Sequence, residues 1–376
     1  MSARVLRIVH TENSCGWGGQ EVRILTESRG FLDRGHRVTL LCPPEAPISD
    51  AARRMGVPVV ALALRRKRLA DLLALRGWLA RHRGEIDVLN AHSSTDSWLC
   101  ALACVTLADA PAVVRTRHVS TTVNNRMSTR WLYRHGNAHI VTTGEALRRQ
   151  LARDNGIALD RMTSVPTGID LDRFVPGDAR KARAGLGLAD RPTLGIVATL
   201  RAWKGHQYLF EALAGDPAGW AGWQVLVVGG GPDREPLEAC VRRLGLAHQV
   251  RFTGHRDDVV PWLQALDLFS LPSWGEEGVP QAIMQAMACA VPVVTTPVGA
   301  ITEAVDADVT GLVVEPRSAA ALAAGLAILR DDPSMRARFG RAARQKAERD
   351  FALGRMLDRM EAVFRAVLER RISTNG

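Results

Sequence analysis

The segment ENSCGWGGQE sets Gly16, Gly18 and Gly19 between an apolar run and a stretch with helical spacing. Glycines in that position let backbone N–H groups close on a phosphate at a helix start, and they equally let a strand turn tightly into a helix. The letters are not G-x-G-x-x-G, and the next apolar run ends LLCPP with no Asp or Glu to hold a ribose, which argues against a nicotinamide cofactor. Farther on, RAWKGHQYLFEAL places Arg201 and Lys204 after an apolar run and before a helical segment. Two cations beside the positive end of a helix suit a diphosphate, although exposed Arg and Lys at helix starts are also common. His92 in NAHSS and His118 in RTRHVST each follow an apolar run. For a lone strand-end histidine, a hydrogen-bonded structural role and a catalytic one stand open alike. DLD at Asp170–Asp172 and DAD at Asp306–Asp308 lack companion oxygen ligands and read as solvated loop acids. HRDD at 255–258 lacks the Asn, D-F-G and strand lysine of a kinase loop.

Residues this far apart need elements to gather them. Short β-branched runs (VLRIV, RVTLLC, VPVVAL, IDVLNAH, PAVVRTRH, AHIVTTG, then PTLGIVATL, WQVLVVGGG, VRFTG, LDLFSLPS, PVVTTP, GLVVEP) alternate with amphipathic segments. Near-continuous apolar strands between helices mean α/β structure with parallel sheets covered on both faces. A polar, Gly-rich break at 173–193 separates two such sets, so two doubly wound, Rossmann-like domains are expected, 1–176 and 177–354. The tail from Pro333 to Arg371 reads as helix with a break near Phe351 to Gly354. Ligands of doubly wound sheets bind beyond the carboxyl ends of the strands, where the residues above lie.

The chain has 376 residues, 47% of them apolar, enough for two cores. No run is long enough to span a membrane and the first residues lack a signal-peptide pattern, so a cytoplasmic protein is expected. Six cysteines (Cys15, Cys42, Cys100, Cys104, Cys240, Cys289) without C-x-x-C spacing read as reduced thiols, nearly all buried, and no structural zinc is expected. The net charge of +10 is uneven: residues 1–176 hold 25 Arg and Lys against 16 Asp and Glu. A basic first half points to an anionic partner such as a membrane surface, a glycolipid or nucleic acid. RRKR at 65–68, Arg115, Arg117, Arg126, Arg130 and Arg134 are its candidates, with Trp78 in LADLLALRGWLARHR as an interfacial residue or a core one. No aromatic-rich basic stripe supports nucleic acid.

One stretch is far more specific. EGVPQAIMQAMACAVPVV, from Glu277, resembles the E-x7-E hallmark of the family 4 retaining glycosyltransferases, and the likeness extends over the chain through SVPTGIDLDRF, IVTTGEALRRQL and VRFTGHRDDVVPWLQALDLFSLPS. The resemblance implies a GT-B fold, two Rossmann-like domains facing each other across an interdomain cleft, with a C-terminal helix of about 355–376 packing back on the first domain. It implies transfer from a nucleoside diphosphate sugar with retention and without a metal or other cofactor. Glu277 would contact donor-sugar hydroxyls, Lys204 and Arg201 the diphosphate, and His118 the sugar near its reacting carbon. Gly18 and Gly19 would line the phosphate, Gly254 the base, and Gly278, Val279 and Pro280 the helix start at the leaving group. Gln285 stands where the family has its second Glu, which holds the ribose, and Thr199 where it usually has an Arg. His92 and Arg117 would face the acceptor, a glycan or glycolipid of envelope polysaccharide or lipopolysaccharide synthesis, with peripheral contact to an anionic membrane. An epimerase or phosphorylase of the same fold is the alternative enzyme, and a nucleic-acid binder the remote non-enzymatic one.

Overall fold

The computed structural model describes residues 4–119, 121–275 and 277–375, with side chains through residue 371. The chain divides into two compact units, Met1–Gly168 with Leu353–Gly376, and Ile169–Ala352.

In the first unit seven parallel strands, β1 (Arg7–Thr11), β2 (Arg37–Cys42), β3 (Val59–Ala61), β4 (Val88–Ala91), β5 (Ala112–Arg117), β6 (His139–Thr142) and β7 (Met162–Ser164), lie in the order β3-β2-β1-β4-β5-β6-β7. The sequence reading contains the first six of these and lacks β7. MTS is short and half polar, and it becomes a strand only because Thr142 offers Ser164 a parallel edge. The order reverses at β1, which pairs with both β2 and β4. At such a switch point the helices leave to opposite faces, and a crevice opens beyond the strand ends. Register sets Thr11 beside Ala91 and Ala91 beside Arg115, so the residues that follow β1, β4 and β5 share one sheet edge.

The long helix Leu353–Asn375 belongs to this unit. Met356, Leu357, Met360, Val363, Phe364 and Val367 recur every three or four residues and enter the core formed by Leu6, Ile8, Phe31, Val88 and Val114. The rings of Phe31 and Phe364 lie 5.8 Å apart. A Cβ on Gly30 of helix Gly19–Asp33 would sit 2.5 Å from Leu357 Cδ1, so this glycine permits close helix approach. The preceding helix Pro333–Asp350 ends at the break expected from the sequence, where Phe351 and Ala352 leave helical geometry.

The second unit is a six-stranded parallel sheet: β8 (Thr193–Val197), β9 (Gln224–Val228), β10 (Val250–Gly254), β11 (Leu268–Leu271), β12 (Val293–Thr295) and β13 (Gly311–Val313), in the order β10-β9-β8-β11-β12-β13. Its switch point is β8, flanked by β9 and β11, and its core runs through Phe210, Trp220, Leu226, Phe269, Ile283 and Val294. Among the described residues no helix is long and apolar enough to cross a membrane. All six cysteines are free; Cys42, Cys100, Cys240 and Cys289 are buried, Cys104 is half-buried and Cys15 is exposed. Trp78 is also unavailable to an interface, being buried and stacked on His82 at 4.3 Å.

Because Phe364 is fully buried at the junction of two helices and the sheet, Phe364→Ala is expected to cost about 3–5 kcal/mol. Urea unfolding of the full chain followed by circular dichroism checks this: the transition assigned to the first unit should move to lower denaturant at an unchanged slope.

Candidate active site

In the second unit the loops after β8 and β11 interlock. Trp274 donates from its backbone N to Trp203 O at 2.8 Å and from its indole Nε1 to Ala202 O at 2.9 Å. Gly205 sits at φ +78°, and a Cβ there would lie 2.0 Å from Pro272 O, so only glycine lets these backbones meet. This closure brings Lys204 to Glu277: Nζ donates to Oε1 at 2.6 Å, and the hydroxyl of Ser273 donates to the same oxygen at 2.8 Å. Glu277 is buried and Lys204 half-buried. The backbone of Glu277 is itself clamped, because its O accepts from Ala300 N at 3.1 Å. Gly299, at φ +60°, leaves no room for a Cβ, which would lie 2.0 Å from Glu277 O.

Around this pair the other expected donor residues take varied positions. Val279 is buried and Pro280 caps the eight-residue helix Gln281–Ala288, on which Gln285 is half-buried. Gly278 and Thr199 are half-buried in the loops after β11 and β8. Gly254 ends β10 at φ +77° and accepts from Gly229 N at 3.0 Å. Arg201 is exposed, its guanidinium over the ring of Trp203 at 5.1 Å.

In the first unit Gly18 is the cap residue of helix Gly19–Asp33, at an extended φ of −175° that any residue adopts. A Cβ there would meet nothing nearer than Glu21 Oε2 at 3.7 Å. Neither backbone angle nor packing inside the chain calls for glycine at this position, which favours the approach of a ligand over the tight-turn reading. The loop is held from below by buried Glu12. Its carboxylate accepts from Ser14 N at 2.7 Å, Ser93 Oγ at 2.6 Å and Gln20 Nε2. Asp96 caps the helix Ser94–Val105, accepting from His92 N at 3.0 Å, Ser93 N at 2.8 Å and the hydroxyl of Thr11 at 2.8 Å. Burial, then the charge of Glu12, pushes Asp96 up to about 7, and burial likewise raises Glu12.

His92 and His118 are brought together: Nδ1 of His92 and Nε2 of His118 are 2.9 Å apart, and Nε2 of His92 lies 2.9 Å from Nδ1 of His10. Burial, with Arg23 nearby, depresses all three, His10 to about 3 and the others well below the ordinary histidine value. The imidazoles are therefore neutral. Arg115 and Arg117 are buried rather than surface cations: Arg117 donates to the Tyr133 hydroxyl at 2.9 Å and to Thr121 O, while Arg115 lies over the Tyr133 ring at 4.8 Å. Neither is placed to meet a bilayer, and the hydrogen bonds of Arg117 turn it toward Tyr133.

His10, Glu12, Ser93, Asp96, Ser273 and Gly299 are site residues that sequence reasoning missed. The S-x-x-D spacing of Ser93 and Asp96 is a readable capping signal. His10 and Glu12 had a faint one, polar letters at and just after the end of an apolar run. Ser273 and Gly299 had none, because their importance lies in where another loop passes.

Each unit is thus a doubly wound parallel sheet with polar groups gathered beyond its switch point, and the second bears a lysine–glutamate pair. Residues 17–173 match the family model described as Glycosyltransferase Family 4, and residues 191–332 the one described as Glycosyl transferases group 1. The chain is 32% identical over 391 residues to the D-inositol 3-phosphate glycosyltransferase of Xylanimonas cellulosilytica, covering 91% of this chain and 91% of that protein. It is 28% identical over 350 residues to the 2-deoxystreptamine glucosyltransferase of Streptomyces kanamyceticus, covering 84% and 90%. The crystal structure of Anabaena HepE in complex with UDP-glucose shares the fold, with a TM-score of 0.84 at 21% identity over 96% of this chain and 100% of that one. The chain belongs to glycosyltransferase family 4, and it is a retaining enzyme that transfers a sugar from a nucleotide sugar.

Gly299→Ala is expected to displace the Glu277 backbone while leaving the fold intact, and a shift of about 1 Å at such a group costs about 100-fold in rate. Turnover of nucleotide sugar measured beside a circular dichroism spectrum tests this, with Gly222→Ala, whose Cβ would meet nothing within 4 Å, as the unaffected control.

Proposed function

We propose that the second unit binds the donor and that Lys204 and Glu277 are its central contacts, with the first unit serving the acceptor. The observation that carries this reading is the 2.6 Å contact between Lys204 and Glu277 at the switch point of the sheet. An ammonium has three donors, so one spent on Glu277 leaves two for a diphosphate. In the reaction the bond from sugar C1 to the β-phosphate oxygen breaks, and negative charge grows on the diphosphate. A bond forms from the acceptor oxygen to C1 on the same face, and the acceptor proton passes to the departing phosphate. Within the second unit Lys204, Arg201 and the start of helix Gln281–Ala288 after Pro280 stabilise that charge, each such fixed donor being worth about 10²–10³ in rate. With these cations in place the reading needs no divalent metal. Glu277 orients the sugar hydroxyls, with Gly278 and Val279 beside it. His118 supports the sugar, Gln285 hydrogen-bonds the ribose, Thr199 and Gly254 flank the nucleotide, and His92 and Arg117 act on the acceptor side.

The proposed acceptor is a hydroxyl of a glycan or glycolipid in envelope polysaccharide or lipopolysaccharide synthesis. Its support is the exposed basic run Arg65 to Arg68, followed by Leu69 and Leu73, which are 70% and 56% exposed. Such a face suits peripheral contact with an anionic membrane from the cytoplasmic side. A second acceptor reading is a free cyclitol, because the two sequence relatives above are named for inositol 3-phosphate and 2-deoxystreptamine.

A thermal-shift series with uridine and guanosine diphosphates and their sugars tests the donor reading, a ligand at one hundred times its dissociation constant adding about 2.7 kcal/mol. Lys204→Ala and Glu277→Ala are expected to abolish the shift; absence of any shift in the wild type would refute the site. The stabilising donor, incubated with glycolipid and with cyclitol acceptors, then shows which product forms.

A further inference from the structure

Three neighbouring strands of the first sheet each end in a histidine: His10 near the end of β1, His92 just after β4 and His118 just after β5. Their rings form a row, with centroids 5.1 Å and 5.2 Å apart and both hydrogen-bond contacts at 2.9 Å. At the inner end Nε2 of His10 lies 4.0 Å from Glu27 Oε1 of helix Gly19–Asp33. His10 Nε2 and both Glu27 oxygens are buried without a hydrogen-bond partner among the described residues; Glu27 Oε1 faces His10, while Oε2 faces Arg23 Nε at 3.5 Å. A small shift of either side chain closes the gap.

A neutral imidazole has one N–H and one bare nitrogen, so a row of them orders in one direction only. If His10 carries its proton on Nε2, facing a Glu27 carboxylate, then His92 Nε2–H donates to His10 Nδ1 and His118 Nε2–H donates to His92 Nδ1. His118 is then left with a bare Nδ1 as an acceptor. If Glu27 is a carboxylic acid that donates to His10 Nε2, every ring reverses and His118 Nδ1 bears the hydrogen. Asn90 favours the first order, since Thr116 Oγ1 donates to its oxygen at 2.9 Å and its amide nitrogen faces His10 Nδ1 at 3.5 Å.

We propose that Glu27 is a positioning residue that acts through His10 and His92 to fix which ring nitrogen of His118 carries the proton, and so whether His118 accepts or donates a hydrogen bond at its outer nitrogen. Glu27 is a carboxyl suited to switching. Burial raises it to about 7 against the pull of Arg23, which lies 3.5 Å away on the same helix. The charged and titratable groups around it are Arg23 and His10, and the helix Leu353–Asn375 contributes the sulfur of Met360 against Arg23. Arg23 also donates to Val165 O at 2.7 Å, which fixes it in place. Because the rings stay neutral, no proton is gained or lost along the row when it reverses; the single proton taken up is on Glu27. The folded-state value lies above that of a free carboxyl, so Glu27 is ionised, and His118 an acceptor, above pH 7, and the order reverses as pH falls below it. The consequence for rate rests on His118 touching the donor sugar, whereas the tautomer itself does not.

The test uses the full chain labelled with ¹⁵N-histidine, read by long-range proton–nitrogen correlation at pH 8 and pH 6 without substrate. The expected result is a His118 with bare Nδ1 at pH 8 and protonated Nδ1 at pH 6, and a Glu27→Gln variant locked in one tautomer at both. The same tautomer at both pH values in the wild type, a charged His118 in this range, or a Glu27→Gln chain that still switches overturns the proposal. The wild-type titration decides even where the variant fails to fold. In turnover assays the wild type should lose rate as pH falls through about 7, and Glu27→Gln should not. A tautomer that switches while the rate stays level upholds the relay and refutes the sugar contact of His118.

Discussion

An ammonium held 2.6 Å from a buried carboxylate is the constraint around which the second unit is arranged. Withdrawing two charges from water costs several kcal/mol for each ion, and their attraction often does no more than balance it. The pair therefore contributes little to stability, and what keeps it together is the backbone. Gly205 and Gly299 let the loops after β8 and β12 each pass the loop after β11 at distances no side chain permits, and Trp274 bonds the β11 loop to the β8 loop. Packing of the sheet supplies the stability that lets an expensive charge arrangement persist.

The first unit meets the same topological demand with different chemistry. Its switch point gathers neutral imidazoles and two acids that burial raises, Asp96 and Glu27 each to about 7. Burial, aided by the charge of Arg23, keeps the histidines uncharged, so this edge presents neutral hydrogen-bonding groups in place of a salt bridge. Glu12, beneath the glycine loop, links the two halves of that edge through Ser93.

How much of this could be read from the letters depended on whether the signal was local. Continuous runs such as VLVV and LFSL are parallel strands almost wherever they occur, so the two sheets and the loops after their strands were legible. Lys204 was legible for the same reason, following a strand end, and Glu277 through the motif EGVPQAIMQAMACAVPVV. The histidine row was not, because residues 10, 92 and 118 become neighbours only once the order β1-β4-β5 is known, and His10 reads as one more letter of an apolar run. Arg115 and Arg117 misled in the opposite sense: cations in a strand suggest an edge facing water, yet β5 is central and buried from end to end. Trp78 stood open between an interfacial and a core role, because a tryptophan among arginines suits either, and its helix turns it inward.

On the proposed reading Lys204, on the donor diphosphate, and Glu277, on the donor sugar, act as one coupled pair. Calorimetric affinities for the nucleoside diphosphate sugar in the wild type, Lys204→Met, Glu277→Gln and the double variant measure that directly. Groups in one ion-pair network couple by about 0.5–3 kcal/mol, so the double variant should lose distinctly less than the sum of the two single losses. Strictly additive losses, or unchanged affinity in Lys204→Met, would contradict it.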